Sequence, residues 1–170
     1  MHINLKGKDP LEPRRDALEV ARELAAIPLD VTHLDLSENK IENEAGVILK
    51  EAIEKNSSLS YLNLSNNKIS QVGSMNIAEG LKVNNSIAEL IIYKNKLDND
   101  GANFLIDSLK LNTKLRVLRL NSNNIGNDGL RSIEEALKSN YNLNELDLSD
   151  NKFDPEGTKY LSAGLKGNYS

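Results

Sequence analysis

Few residues in this chain are of types that do chemistry, and their spacing favours contact over catalysis. His33 and Asp35 stand two apart. On an extended strand that spacing puts both side chains on one face, where the carboxylate could hold the imidazole. A hydrolytic or acyl-transfer site also needs a nucleophile and a pocket, and neither accompanies this pair. The other histidine, His2, is far from His33 in sequence. Asp147 and Asp150 would hold a cation only loosely, since an exposed carboxylate pair is ordinarily solvated. The chain has no phosphate-binding glycine loop, dinucleotide fingerprint, His-Glu-x-x-His or nucleophile elbow. It has no cysteine, which excludes disulfides, thiolate metal sites and thiol nucleophiles together. The expectation is a protein that is not an enzyme and carries no cofactor or metal.

The side chains suited to contact are more telling. Tyr61, Ile91, Tyr93 and Val117 supply aromatic and apolar surface, and Lys94 and Arg119 supply positive charge. Acids stand around them: Asp35 and Glu38 before, Glu89 within, and Glu145, Asp147 and Asp150 after. His33, Asn63 and Asn121 complete the set. Tyrosine and arginine at the centre of a surface are the types enriched in binding hot spots. Ile91 and Tyr93 are expected to face solvent, which calls for a partner. The structural alternative is that β-branched and aromatic residues simply suit strands.

The elements that position these residues repeat. Leu34-Asp35-Leu36, Leu62-Asn63-Leu64, Leu90-Ile91-Ile92, Leu118-Arg119-Leu120 and Leu146-Asp147-Leu148 recur every 28 residues. A fixed period of this length signals a stacked solenoid. The Leu-x-Leu step has period 2 and predicts a short strand with one apolar face. Every contact residue above falls at a position that faces away from that core. The second half of each repeat turns helical, as in Leu49, Ala52 and Ile53 or Ile133, Ala136 and Leu137. Ser70, Asp98, Gly126 and Asp154 are expected to cap helix N-termini. A small residue follows inside each helix (Ala45, Gly73, Gly101, Gly129, Gly157), allowing close approach of a neighbour. Asn56, Asn84, Asn112, Asn140 and Asn168 mark helix C-termini and are expected to take left-handed caps. Five further asparagines, Asn39, Asn67, Asn95, Asn123 and Asn151, follow the strands. Turned inward, their amides would satisfy backbone groups of the turn, a structural role.

The pattern L-x-x-L-x-L-x-x-N followed by a helix, at period 28 from Val31 to Asn168, resembles the ribonuclease-inhibitor class of leucine-rich repeats. The resemblance implies an α/β fold: a right-handed horseshoe with a parallel β-sheet on the concave face and α-helices on the convex face. It also implies a partner, a folded protein on the concave face, with inhibition by occlusion of that partner's active site. The repeat type is similar to GTPase-activating proteins of nuclear transport too, although no inserted loop here carries a catalytic arginine. A purely structural scaffold is the third reading. Short, Cys-free, Asn- and Lys-rich repeat proteins look like secreted bacterial effectors, which implies a cytoplasmic setting, a host cytosol in that case.

Length and composition fit one domain over residues 1–170. Residues 1–30 read as a degenerate N-terminal capping repeat. Ile3-Asn4-Leu5 is a candidate edge strand, and Ala17, Leu18, Ala21, Leu24 and Ala25, entered through Pro13, are a candidate helix. Residues 31–170 hold five repeats, and Ser170 falls just before a further repeat would start. The net charge of −4, from 25 acids and 21 bases, lacks the basic footprint of a nucleic-acid binder. No apolar run is long enough for a membrane span. A free monomer is expected.

Overall fold

The computed structural model describes residues 1–7, 28 and 30–168. Among the described residues there are six three-residue strands and five α-helices, one helix following each strand from the second onward. The strands are β1 (His2–Asn4), β2 (His33–Asp35), β3 (Tyr61–Asn63), β4 (Glu89–Ile91), β5 (Val117–Arg119) and β6 (Glu145–Asp147). The helices are α1 (Gly46–Lys55), α2 (Gln71–Val83), α3 (Asp98–Ser108), α4 (Arg131–Ser139) and α5 (Gly157–Leu165). Short 3-10 turns, Asn43–Ala45 and Asn127–Leu130, lead into α1 and α4.

All strands are parallel and lie in sequence order from β1 to β6. From β2 onward the register follows the 28-residue period, with Leu34, Leu62, Leu90, Leu118 and Leu146 side by side. Strands stack at ~4.8 Å and helices at ~10 Å, so the sheet becomes the inner, concave layer.

The expected first edge strand is present, one residue earlier than its sequence bounds. It spans His2–Asn4 rather than starting at Ile3, and Ile3 pairs with Leu34, 31 residues away. Counting back 28 residues lands on Lys6 and Lys8 and hides the pattern. The backbone continues it: Leu5 N–H donates to the Asp35 carbonyl and Gly7 N–H to the Ser37 carbonyl. Ile3 and Leu5 are thus the Leu-x-Leu pair of a longer first repeat. The candidate helix from Ala17 to Ala25 lies outside the described residues.

Between sheet and helices runs one aliphatic core. Leu34, Leu36, Ile41, Leu49 and Ile53 are buried, and so are their counterparts through Leu137, whereas Leu146 of the next repeat is half-buried. Each such side chain contributes roughly 1.5–3 kcal/mol by leaving water. Among the described residues no helix is long and apolar enough to cross a membrane.

Three columns of asparagine stitch the repeats together. In the inner column, Asn95 Nδ2 donates to the carbonyls of Leu64, Ile92 and Tyr93, while its Oδ1 accepts from Ile69 N–H. Asn67, Asn123 and Asn151 repeat the arrangement. The expected structural role is therefore observed.

The helix C-termini do not follow expectation. Asn56, Asn84 and Asn140 sit in extended backbone rather than the left-handed region. Their side chains do the capping. Asn84 Oδ1 accepts from Ser86 and Ile87 N–H, and its Nδ2 donates back to the carbonyls of Ile53 and Asn56.

At helix N-termini the cap arrives from the preceding repeat. Asn43 Oδ1 receives Ser70 and Gly73 N–H, Asn99 Oδ1 receives Gly126 N–H, and Asn127 Oδ1 receives Asp154 N–H. Ser70 and Gly126 make no side-chain cap bond themselves, and Asp98 opens α3 at a φ of 53°. Asp154 lies two residues before the N-cap Glu156, and its Oδ1 accepts from Glu156 and Gly157 N–H in the turn that leads into α5.

Candidate binding surface

The face of the sheet turned away from the core carries the candidate residues in columns set by the register. One column runs His2, His33, Tyr61, Glu89, Val117, Glu145. The next runs Asn4, Asp35, Asn63, Ile91, Arg119, Asp147. A third set, including Tyr93, Lys94, Asn121 and Asp150, lies in the turns after the strands.

Both histidines meet here, although they are far apart in the chain. The His2 and His33 rings stack at 3.9 Å with an interplanar angle of 12°. Tyr61 continues the stack at 5.6 Å from His33. Burial, then the negative charges of Asp35 and Glu89, push the Tyr61 phenol above its ordinary value. The missed residue is His2, hidden by the 31-residue first repeat. The signal that would have found it is the Ile3-x-Leu5 alternation followed by Gly7.

Much of the polar column serves the local turn. Asp35, Asn63 and Asp147 each accept, through Oδ1, the N–H of the serine two residues on. Two of those serines, Ser37 and Ser65, are themselves buried. Such side-chain-to-backbone turns are a standard use of Asp and Asn. At β4 and β5 the column holds Ile91 and Arg119, which cannot accept that bond.

Ile91 corrects a second expectation. It lies on the outward face yet is only 6% exposed, and it stands outside the main core cluster. Its sheet neighbours are Asn63 and Arg119. It forms a small apolar centre on the concave side rather than a solvent-facing anchor. Tyr61, Tyr93 and Val117 around it are half-buried, and Lys94 is exposed.

Arg119 is already engaged, its guanidinium 2.8 Å from Glu145 on the neighbouring strand. Lys6 pairs with Glu38 at 3.1 Å, and that bond raises the Lys6 ammonium above its ordinary value. The residue before each inner asparagine is left-handed: Glu38, Asn66, Lys94, Ser122 and Asp150 all have φ between 51° and 60°. Asn and Asp tolerate this region better than Glu or Lys. Among the described residues no three metal-ligating side chains converge. Asp147 and Asp150 are thus a pair without a third ligand, and the Asp147 Oδ1 also accepts from the Ser149 hydroxyl.

Comparison with known proteins places this architecture. A family model described as leucine-rich repeat matches residues 30–47, 55–78, 111–133 and 139–162, just over half of the chain. The stretch between the second and third matches contains β4, with Ile91, Tyr93 and Lys94. No curated protein matches the chain. Among solved structures, leiomodin-1 actin-binding site 2 is 25% identical over 88% of each chain, with a TM-score of 0.69. The tropomodulin C-terminal domain of Caenorhabditis elegans is 17% identical over 91% of this chain and 94% of that one, with a TM-score of 0.67. At that identity the tropomodulin likeness is one of fold.

Proposed function

The chain belongs to the leucine-rich repeat family, and from that premise we propose that it is a non-enzymatic module recognising a folded protein on the concave face of its sheet. One observation carries the reading. The turn-forming Asp or Asn of β2, β3 and β6 gives way at the centre of the sheet to Ile91 and Arg119, with Tyr93 beside them. In place of a local hydrogen bond the open face gains a buried apolar side chain and a cation paired with Glu145, beside a half-buried tyrosine. An aromatic, partly desolvated centre ringed by polar residues is how binding energy is concentrated at interfaces.

The face is of suitable extent, since a standard interface uses roughly 20–30 residues a side. Acids at its two ends and bases at its centre would set orientation and encounter rate more than affinity. The similar leiomodin-1 domain is an actin-binding site, which supports a folded-protein partner here and makes actin the first one to test. A partner seated on the concave face would have its contacted surface occluded, so inhibition is the expected consequence when that surface is an active site. The GTPase-activating reading has less support, because the Arg119 guanidinium is held by Glu145.

Affinity capture with mass spectrometry identifies candidate partners, purified actin being assayed beside them. Replacing Tyr93 and Arg119 together (Tyr93→Ala with Arg119→Glu) should abolish retention of the specific partner. A captured protein that binds the double variant as well as it binds the parent would refute concave-face recognition.

A further inference from the structure

Three aromatic rings stand in one column across the concave face. His2, His33 and Tyr61 hold the same register position on β1, β2 and β3. Their rings stack with interplanar angles of 12° and 21°, so the ring planes lie across the line of the column. His33 covers one face of Tyr61, and the other face turns toward β4. Among the described residues no ring lies on that second face. The next side chains in the column are Glu89 and then Val117.

Glu89 is exposed and makes no ion pair among the described residues, and neither does half-buried Asp35 on the strand before Tyr61. After burial, the charges that act most on the Tyr61 phenol are the carboxylates of Asp35 and Glu89, and both raise it. Two repeats further along, the chain shows what such a glutamate does when a cation is supplied. Glu145 holds the position of Glu89, and Arg119 from the strand before it pairs with it at 2.8 Å. The residue equivalent to Arg119 beside Glu89 is Asn63, which carries no charge. The glutamate recurs without its arginine, and at this position it has an open aromatic face beside it.

Given recognition on the concave face, on which this site depends, we propose that the Tyr61–Glu89 position binds one arginine side chain of the partner. Its guanidinium stacks on the open face of Tyr61 and forks onto the Glu89 carboxylate, with its methylene stem against Val117. A guanidinium is planar and weakly hydrated, so it lies on a ring and meets a carboxylate through two parallel N–H groups. A lysine ammonium offers charge to the ring but no such fork. Asp35 adds negative potential from the other side of Tyr61.

The probe is Nα-acetyl-arginine methylamide, titrated into the whole protein and followed by NMR at the Tyr61 ring. Saturable shifts are expected there, with a dissociation constant of roughly 1–30 mM, as fits a single side chain on an open face. The lysine analogue should bind about fivefold more weakly or worse, and the citrulline analogue, planar but uncharged, should not saturate. Glu89→Gln and Tyr61→Leu should each weaken the arginine probe by about fivefold or more. Glu89 is exposed, so its substitution spares the fold and decides alone if Tyr61→Leu lowers the thermal midpoint. The proposal is overturned by no saturation at Tyr61 up to about 100 mM probe. It is equally overturned if arginine binds no tighter than lysine or citrulline, or if Glu89→Gln leaves its affinity unchanged. Tyr93→Ala with Arg119→Glu leaves Tyr61 and Glu89 in place. Loss of the captured partner in that double variant, with no arginine-selective response at Tyr61 in the parent, would remove this site and leave concave-face recognition standing.

Discussion

Asn95 shows what an aligned amide contributes. Its side chain closes three carbonyls and one N–H, in its own turn and in the preceding repeat. A buried group left without its partner costs about 1–3 kcal/mol, and removing Asn95 strands several. Asn95→Ala should therefore destabilise by about 3 kcal/mol in urea unfolding. Asn151→Ala should cost less, because Asn151 lies in the last repeat and is half-buried. Equal losses at the two positions would show that burial does not set the cost. The inner column's role was legible because an invariant polar residue beside a buried strand must be satisfied internally. The C-terminal column departs from expectation, since Asn serves equally as a left-handed cap and as a side-chain cap, and composition does not choose. Ile91 departs from expectation for a related reason. Strand alternation tells which face a side chain takes, not how far its neighbours cover it.

At the scale of elements, the caps and close approaches decide how one repeat meets the next. Asp154 leads into α5 by accepting the N–H groups of Glu156 and Gly157, with Asn127 Nδ2 as a third donor. The Asn127 bond first, and those N–H groups next, hold its carboxyl below the ordinary carboxylate range. A depressed folded value means the stabilisation is present above the unfolded value and is lost as pH falls through the folded one. Asp154→Asn should accordingly lower the urea midpoint at neutral pH, and the gap from the parent should close in acid. A gap that persists at low pH would assign the effect to packing. Glu42, Glu79 and Glu135 are lowered likewise by Lys68, Lys82 and Lys110, so the acid limb of the whole chain should run the same way.

Gly129 marks a close approach. A Cβ there would stand 2.6 Å from Ile125 Cγ2 and 3.0 Å from Asn99 Oδ1, the atom that caps Gly126. Gly129→Ala should cost about 1–3 kcal/mol through overpacking, read as a lowered thermal midpoint. An unchanged midpoint would mean that the turn gives way freely. The small residue at this position was legible from the repeat. The cap arriving from the preceding repeat was not, because a spacing of 27 residues to the capped N–H becomes proximity only after stacking.

For the molecule as a whole, the repeat determines a sheet with one buried and one open face, and the open face is where the chain departs from its own pattern. The leucines and asparagines specify the fold and say almost nothing of the partner. The central departure at Ile91, Tyr93 and Arg119 was visible as a break in the column. Its chemistry was not, because the ion pair to Glu145 and the cover over Ile91 arise from neighbouring strands. The stack of His2, His33 and Tyr61 was hidden by three extra residues in the first repeat. The most direct test of concave-face recognition is the dissociation constant of the captured partner, measured by calorimetry for the parent and for Tyr93→Ala with Arg119→Glu. The account predicts a loss of about 2 kcal/mol or more in binding, with a thermal midpoint close to the parent's. Unchanged affinity, or a loss that merely follows a lowered midpoint, would contradict it.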